Sequence, residues 1–187
     1  MKRCLLLILI TQFVSALNIR SSPCFCTMVP CPVSGTNYLT IGGGGTGYYD
    51  YSLHNGIPVI KSARVRIGIN NMNKGTDTTT CTQNYARSLD DDSLKNCDAG
   101  HILANRLGGP GNQPINIIPQ NSSINRGAYA QFEDSIYDCI TFMGAEYAEL
   151  SWSFDYLSNT KTKPNSIKYD VKYTGGSCVS CSKIFTN

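Results

Sequence analysis

The sequence predicts an α+β fold, in which one long helix interrupts an antiparallel sheet and disulfides brace the whole. Three observations predict it. Several stretches alternate apolar and polar residues with a period of two. One stretch repeats apolar residues at i and i+4. The chain also keeps eight cysteines once a leader-like start is set aside.

Residues 1–16 read as a signal peptide. Lys2 and Arg3 precede the apolar run CLLLILITQFV, and VSA at 14–16 supplies a small-x-small cleavage pattern. The run is shorter than the ~20 apolar residues that span a bilayer, so an uncleaved anchor is the poorer reading. The expected mature protein starts near Leu17, is secreted and has no membrane partner. Losing Lys2 and Arg3 takes the formal net charge from +3 to +1. That excludes a strongly basic protein, so any contact with nucleic acid must be local and sensitive to salt. Eight cysteines in an oxidising compartment allow up to four disulfides. Cys178-x-x-Cys181 could serve zinc or redox chemistry only as thiolate, which secretion disfavours.

Residues 17–48 read as an irregular, cysteine-tied segment ending in IGGGGTGYY. The glycine run lacks the Gly-Lys-Ser/Thr ending of a phosphate loop, so it is expected to be a turn or linker. Residues 49–187 form the main domain. In VIKSARVRIGI the apolar residues fall at every second position, which makes a half-buried strand with Arg64 and Arg66 on one face. ELSWSFDYL and SIKYDVKY alternate in the same way, with SNTKTKPN as the hairpin loop between them. A helix is expected over INRGAYAQFEDSIYDCITFM, capped by Ser122 or Ser123. Ile124, Ala128, Phe132, Ile136 and Ile140 should face the core. Beside them runs a second stripe of Asn125, Tyr129, Glu133 and Tyr137, whose polar members lie at the buried edge. Gly127 suggests close approach to another backbone. The acidic run Asp90 to Asp92 reads as a solvated loop, and His54, beside the turn signal HNGIP, as a surface residue.

The stretch NCDAGHILANRLGGPG sets a histidine at the end of a short extended segment. A Gly/Pro loop, the segment INIIPQ and the helix then follow. Strand, loop, strand and helix can hold one divalent ion against one base. The ordered motifs DAGH, NIIPQ and NRGAYAQFE resemble the DNA/RNA non-specific endonucleases of the ββα-metal (His-Me finger) class. That family's motifs run D-R-G-H, N-x-x-P-Q and L-N-x-G-x-W/Y-x-x-x-E. A D-x-G-H variant with a Gly-Gly-Pro loop is similar to a branch found in bacterial secreted toxins. The match covers about 36 residues, Asp98 to Glu133.

The resemblance implies a ββα-metal motif set in the sheet and a secreted endonuclease that hydrolyses both DNA and RNA. It implies that His101 is the general base and that Asn125 is the ligand of Mg²⁺, with Mn²⁺ as a substitute. Glu133 would orient the ion's waters, Asn116 would steady the site, and Asp98 would accept hydrogen bonds. An imidazole and an amide oxygen suit these roles, as a base near neutral pH and a hard neutral ligand. Recognition would run through phosphates and ignore base sequence. The departure is Ala99, where the family's better-known branch has arginine. Arg87 and Arg106 are the first choices to replace it at the reacting centre, with Arg126, Arg64 and Arg66 as substrate-binding cations. Two rival readings are a metal-independent ribonuclease using His54 and His101, and a non-catalytic secreted toxin or binding protein on the same scaffold.

Overall fold

The structure is a computed structural model and describes residues 29–91 and 97–187; the expected signal peptide, Cys24 and Cys26 lie outside them. In chain order the elements are β1 (Gly35–Thr40), β2 (Thr46–His54), β3 (Ile57–Gly68), α1 (Thr80–Leu89), β4 (Cys97–His101) and β5 (Ile117–Asn121). A single turn, α2 (Ser122–Ile124), a π-turn over Asn125–Tyr129, α3 (Ala130–Thr141), β6 (Ala145–Asp155), β7 (Ser166–Gly175) and β8 (Cys181–Thr186) complete it. Six strands form one antiparallel sheet in the order β1-β2-β3-β6-β7-β8, and β4 and β5 pair separately. Among the described residues, no helix is long and apolar enough to cross a membrane.

The period-two pattern does what it predicts. Ala63, Val65 and Ile67 of β3 point to one face with Leu150 and Trp152 of β6 and Tyr169 of β7, all buried. Phe132, Ile136 and Ile140 of α3 cover that face, while Ile124 and Ala128 pack at its margin. Two of the buried aromatics pair their polar atoms: Trp152 Nε1 donates to Tyr129 Oη at 3.0 Å, and Tyr129 donates to the Ile102 carbonyl at 3.1 Å.

Several expectations change. Residues 35–40, expected to be irregular, are an edge strand. The glycine run keeps its expected place as a turn, the one that joins this strand to β2, with Gly43, Gly44 and Gly45 all at positive φ. The long helix starts after Asn121, with no side-chain cap from either serine. A Cβ added at Gly127 would meet nothing within 4 Å; instead the residue adopts φ −110°, ψ −109° and breaks the helix. Asp90 is paired at 3.5 Å with buried Lys163, and Asp91 accepts from the Thr162 backbone N–H at 3.0 Å, so these two acids clamp a neighbouring loop; Asp92 lies outside the described residues. Cys139 and Cys178 are joined, and Cys31 and Cys81 are also disulfide-bonded. Cys97 and Cys181 carry free thiols, so the pairing stops short of four bridges.

Candidate active site

The region between β3 and β6 builds a cleft of about 500 Å³ on the sheet's helix-covered side. His101, Asn125, Asp98, Arg126, Arg87, Asp77 and Ala99 are among the residues that line it. His101 ends β4, opposite Ile117 of β5. The Gly/Pro loop sets its ring. Thr76 bridges to Pro110, and its N–H donates to the Gly109 carbonyl at 3.1 Å. The Gly111 N–H in turn donates to the Thr76 carbonyl at 2.9 Å. The same Thr76 carbonyl lies 3.1 Å from His101 Nε2. A carbonyl only accepts, so the neutral ring carries its proton on Nε2 and leaves the Nδ1 lone pair free. Burial holds the His101 pKa below its usual 6.5, against the opposing pull of the Thr76 carbonyl and the Asp77 carboxylate.

Asn125 opens the π-turn and is tied to β4. Asp98 Oδ2 accepts from Asn125 Nδ2 at 3.0 Å and from Arg126 Nε at 2.8 Å, and Oδ1 accepts from Arg126 Nη2 at 2.7 Å. Burial alone would raise the Asp98 carboxyl, but Arg126 and the Asn125 amide outweigh it and hold it below the usual range. A carboxylate at this position can only accept, so it fixes which way the Asn125 amide turns. Nδ2 faces Asp98, and Oδ1 is left without a hydrogen-bond partner among the described residues.

Asn116 is wholly buried and serves the scaffold. Its Oδ1 accepts from Tyr49 Oη at 3.0 Å and from the Leu103 N–H at 2.9 Å, and its Nδ2 donates to the Leu103 carbonyl at 2.9 Å. These bonds fix the chain two residues past His101. Gly100 lies where an added Cβ would overlap the Gln120 side chain, as a close backbone passage requires.

The remaining expected residues part company. Arg87, on the exposed face of α1, lines the cleft, and Asn84 Oδ1 at 3.2 Å is its one hydrogen-bond partner among the described residues. Ala99 packs on the α1 residues Tyr85, Ala86 and Leu89, so a small residue there lets α1 lie against β4 and bring Arg87 to the rim. Arg106 and Glu133 line a different cavity, together with Asn73, Asn105 and Asp134. There Arg106 pairs with Asp134 and lies over the Tyr137 ring. Glu133 is buried, its Oε1 has no partner among the described residues, and burial, aided by Asp134, lifts its carboxyl well above the usual range. Glu133 and Asn125 share a stripe on a regular helix, but the π-turn shifts the stripe between them. The Asn105 amide, which lines the Glu133 cavity, donates at 2.6 Å to Asp77 of the His101 cleft. Arg64 and Arg66 sit on the opposite, outward face of the sheet, over Tyr48 and Tyr147 respectively. His54 is also outside the cleft, with Nδ1 at 2.6 Å from the Lys161 carbonyl. It therefore forms no pair with His101 for two-histidine chemistry.

Helix α1 is the piece that sequence reasoning missed. The available signal was Thr79 followed by Thr82, a reciprocal cap at its start.

Residues 61–175 match the model of a family described as DNA/RNA non-specific endonuclease. A probable deoxyribonuclease, RhsA of Dickeya dadantii (strain 3937), is 39% identical over 128 residues, or 68% of this chain and 8% of that much longer protein. The structure of NucA from Streptococcus agalactiae with magnesium bound aligns at a TM-score of 0.53 and 11% identity, covering 81% of this chain and 82% of NucA. The metal-free NucA structure gives the same TM-score of 0.53 at 12% identity, covering 85% and 83%. At such identities the likeness is one of fold.

Proposed function

The chain belongs to the DNA/RNA non-specific endonuclease family, and from that premise we propose that it is a secreted, divalent-metal-dependent endonuclease cutting DNA and RNA. The observation that carries the reading is the pairing in one cleft of a free imidazole Nδ1 with an amide oxygen whose nitrogen end is already held by Asp98. Secretion is supported by the Cys139–Cys178 bridge and by the disulfide-bonded Cys31 and Cys81.

In this reading His101 Nδ1 takes the proton of the attacking water, while the Thr76 carbonyl holds the ring in place. Asn125 Oδ1 is the ligand for Mg²⁺, or Mn²⁺ in its place. One neutral hard oxygen fits a cation that keeps most of its waters, and no group of three or more His, Cys, Asp or Glu side chains competes for it among the described residues. When bound, the ion supplies charge stabilisation at the scissile phosphate. Arg87 binds a substrate phosphate in place of the arginine absent at Ala99, and Arg126, held by Asp98, flanks the same path. Asn116 fixes the His101 segment. Glu133 and Arg106 act from the neighbouring cavity by holding α3 and the loop that leads to Asp77.

The deciding experiment is digestion of plasmid and of RNA by purified, folded protein with Mg²⁺, with Mn²⁺ and with excess chelator. Cleavage of both polymers that stops in chelator is expected. An intact plasmid after prolonged incubation overturns the enzyme reading, and cleavage in chelator overturns the metal. Asn125→Ala should raise the Mg²⁺ concentration for half-maximal rate by more than about tenfold and weaken Mn²⁺ binding in calorimetry to match. Unchanged Mn²⁺ binding would remove Asn125 as the ligand. Gly111→Ala tests the seat of the histidine, because an added Cβ would overlap His101 Nε2 and the Thr76 carbonyl. Displacing the ring by about an ångström should lower the rate about a hundredfold in a protein that still folds.

A further inference from the structure

On the outward face of the sheet, the registers align one row of side chains across all six strands: Tyr38, Tyr48, Arg64, Ser151, Asp170 and Ser182. The adjacent inward row, which includes Tyr49, Ala63, Trp152 and Tyr169, is buried core. At its β1–β3 end the outward row is open to solvent. Tyr38 is 66% exposed and Tyr48 36%, their rings meet edge to face at 5.5 Å, and the Arg64 guanidinium lies 5.0 Å from the centre of the Tyr48 ring. The strands curve around a concavity of about 1160 Å³ that reaches from Tyr48 and Arg64 to Lys172 and Ser182. Among the described residues Arg66 is paired with Glu149 and Lys168 with Asp170, whereas Arg64 and Lys172 have no carboxylate partner.

We infer that this face is a second binding site, a stacking platform for single-stranded nucleic acid that holds the polymer apart from the His101 cleft. Exposed rings in line with an unpaired cation, spaced by the ~4.8 Å between strands, offer base-stacking surfaces beside a phosphate contact. Ser151, Ser153 and Ser182 add hydroxyls to the face, and the exposed Ile184 lies at its β8 edge. The choice of ligand rests on the nuclease reading; the location does not. By keeping a long substrate near the enzyme, the platform raises its effective concentration at the cleft. It therefore lowers the KM for polymers and leaves kcat and small substrates unaffected.

The test uses a short single-stranded oligothymidylate carrying 5-iodouracil, bound to the full protein in excess chelator and cross-linked by ultraviolet light. Attachment to Tyr38 or Tyr48 is expected. In the Tyr38→Thr, Tyr48→Thr double variant, which keeps β-forming residues, the affinity for oligothymidylate should fall by about tenfold or more. KM for long single-stranded DNA should rise in step, while kcat and hydrolysis of bis(p-nitrophenyl) phosphate stay as in the wild type. Cross-links confined to the cleft, or unchanged affinity in a variant with the wild-type melting temperature, overturn the platform and leave the nuclease standing. If the double variant loses affinity for an oligosaccharide but not for the oligothymidylate, the platform is likewise overturned. Tyrosine cross-links in a protein that cuts nothing support the platform while the nuclease reading fails.

Discussion

His101→Ala should lower the rate of plasmid cleavage by about 10²–10⁴-fold at saturating Mg²⁺. The fold should survive, because the ring is half-buried at a strand end and, among the described residues, makes one hydrogen bond, to the Thr76 carbonyl. A circular dichroism melt close to that of the wild type, with a lost rate, is the expected pair of results. Wild-type rate against pH supplies the second readout. A base works only when neutral, and the His101 pKa is depressed below 6.5. The rate should therefore be flat around neutral pH and fall only as the pH drops through that lowered value. The residual activity of His101→Ala should lack this acidic fall. A variant that keeps wild-type cleavage would remove His101 from the chemistry.

Asn116→Leu should produce the largest loss of stability of any single change at the site. The side chain is wholly buried, and its removal strands the Leu103 N–H, the Leu103 carbonyl and the Tyr49 hydroxyl in a dry interior. Each buried group left without a partner costs about 1–3 kcal/mol, so a loss of about 4 kcal/mol is expected in urea unfolding. Tyr49→Phe removes one hydroxyl from the same network, and about 1 kcal/mol is expected for it. Equal losses in the two variants would mean that the amide is not the hub of the network. Because the network holds the chain beside His101, activity should fall in Asn116→Leu even at temperatures where the protein remains folded.

The sequence makes an element legible where one face is wet and the other dry. Strands β3, β6 and β7 and the ladder of α3 have that contrast. Helix α1, TCTQNYARSL, buries only Thr82, Tyr85, Ala86 and Leu89, a stripe too narrow to stand out against its polar surroundings. Strand β1 was hidden by its exposed tyrosine and by the glycine run beside it. That His101 and Asn125 line one cleft was legible because their spacing along the chain survives folding into one short module. The arginines were not. Alternation puts Arg64 and Arg66 on a common face without saying on which side of the sheet the cleft lies. Arg87 and Arg106 differ only in which wall of the module carries them. Glu133 was misaligned for a local reason, since a regular helix would have kept it in line with Asn125 and the irregular turn at Gly127 does not.

Residues 69–144 leave the sheet at the end of β3 and return at the start of β6, and these strands are hydrogen-bonded neighbours, with Gly68 opposite Tyr147. The whole excursion that carries the His101 cleft thus begins and ends at nearly one point. Such a cassette can lengthen, shorten or change its walls at small entropic cost, because the distance between its ends stays fixed. The frame feels little of what varies inside it. Frames whose sequences have drifted far apart can on this account keep the same outline around differently furnished clefts.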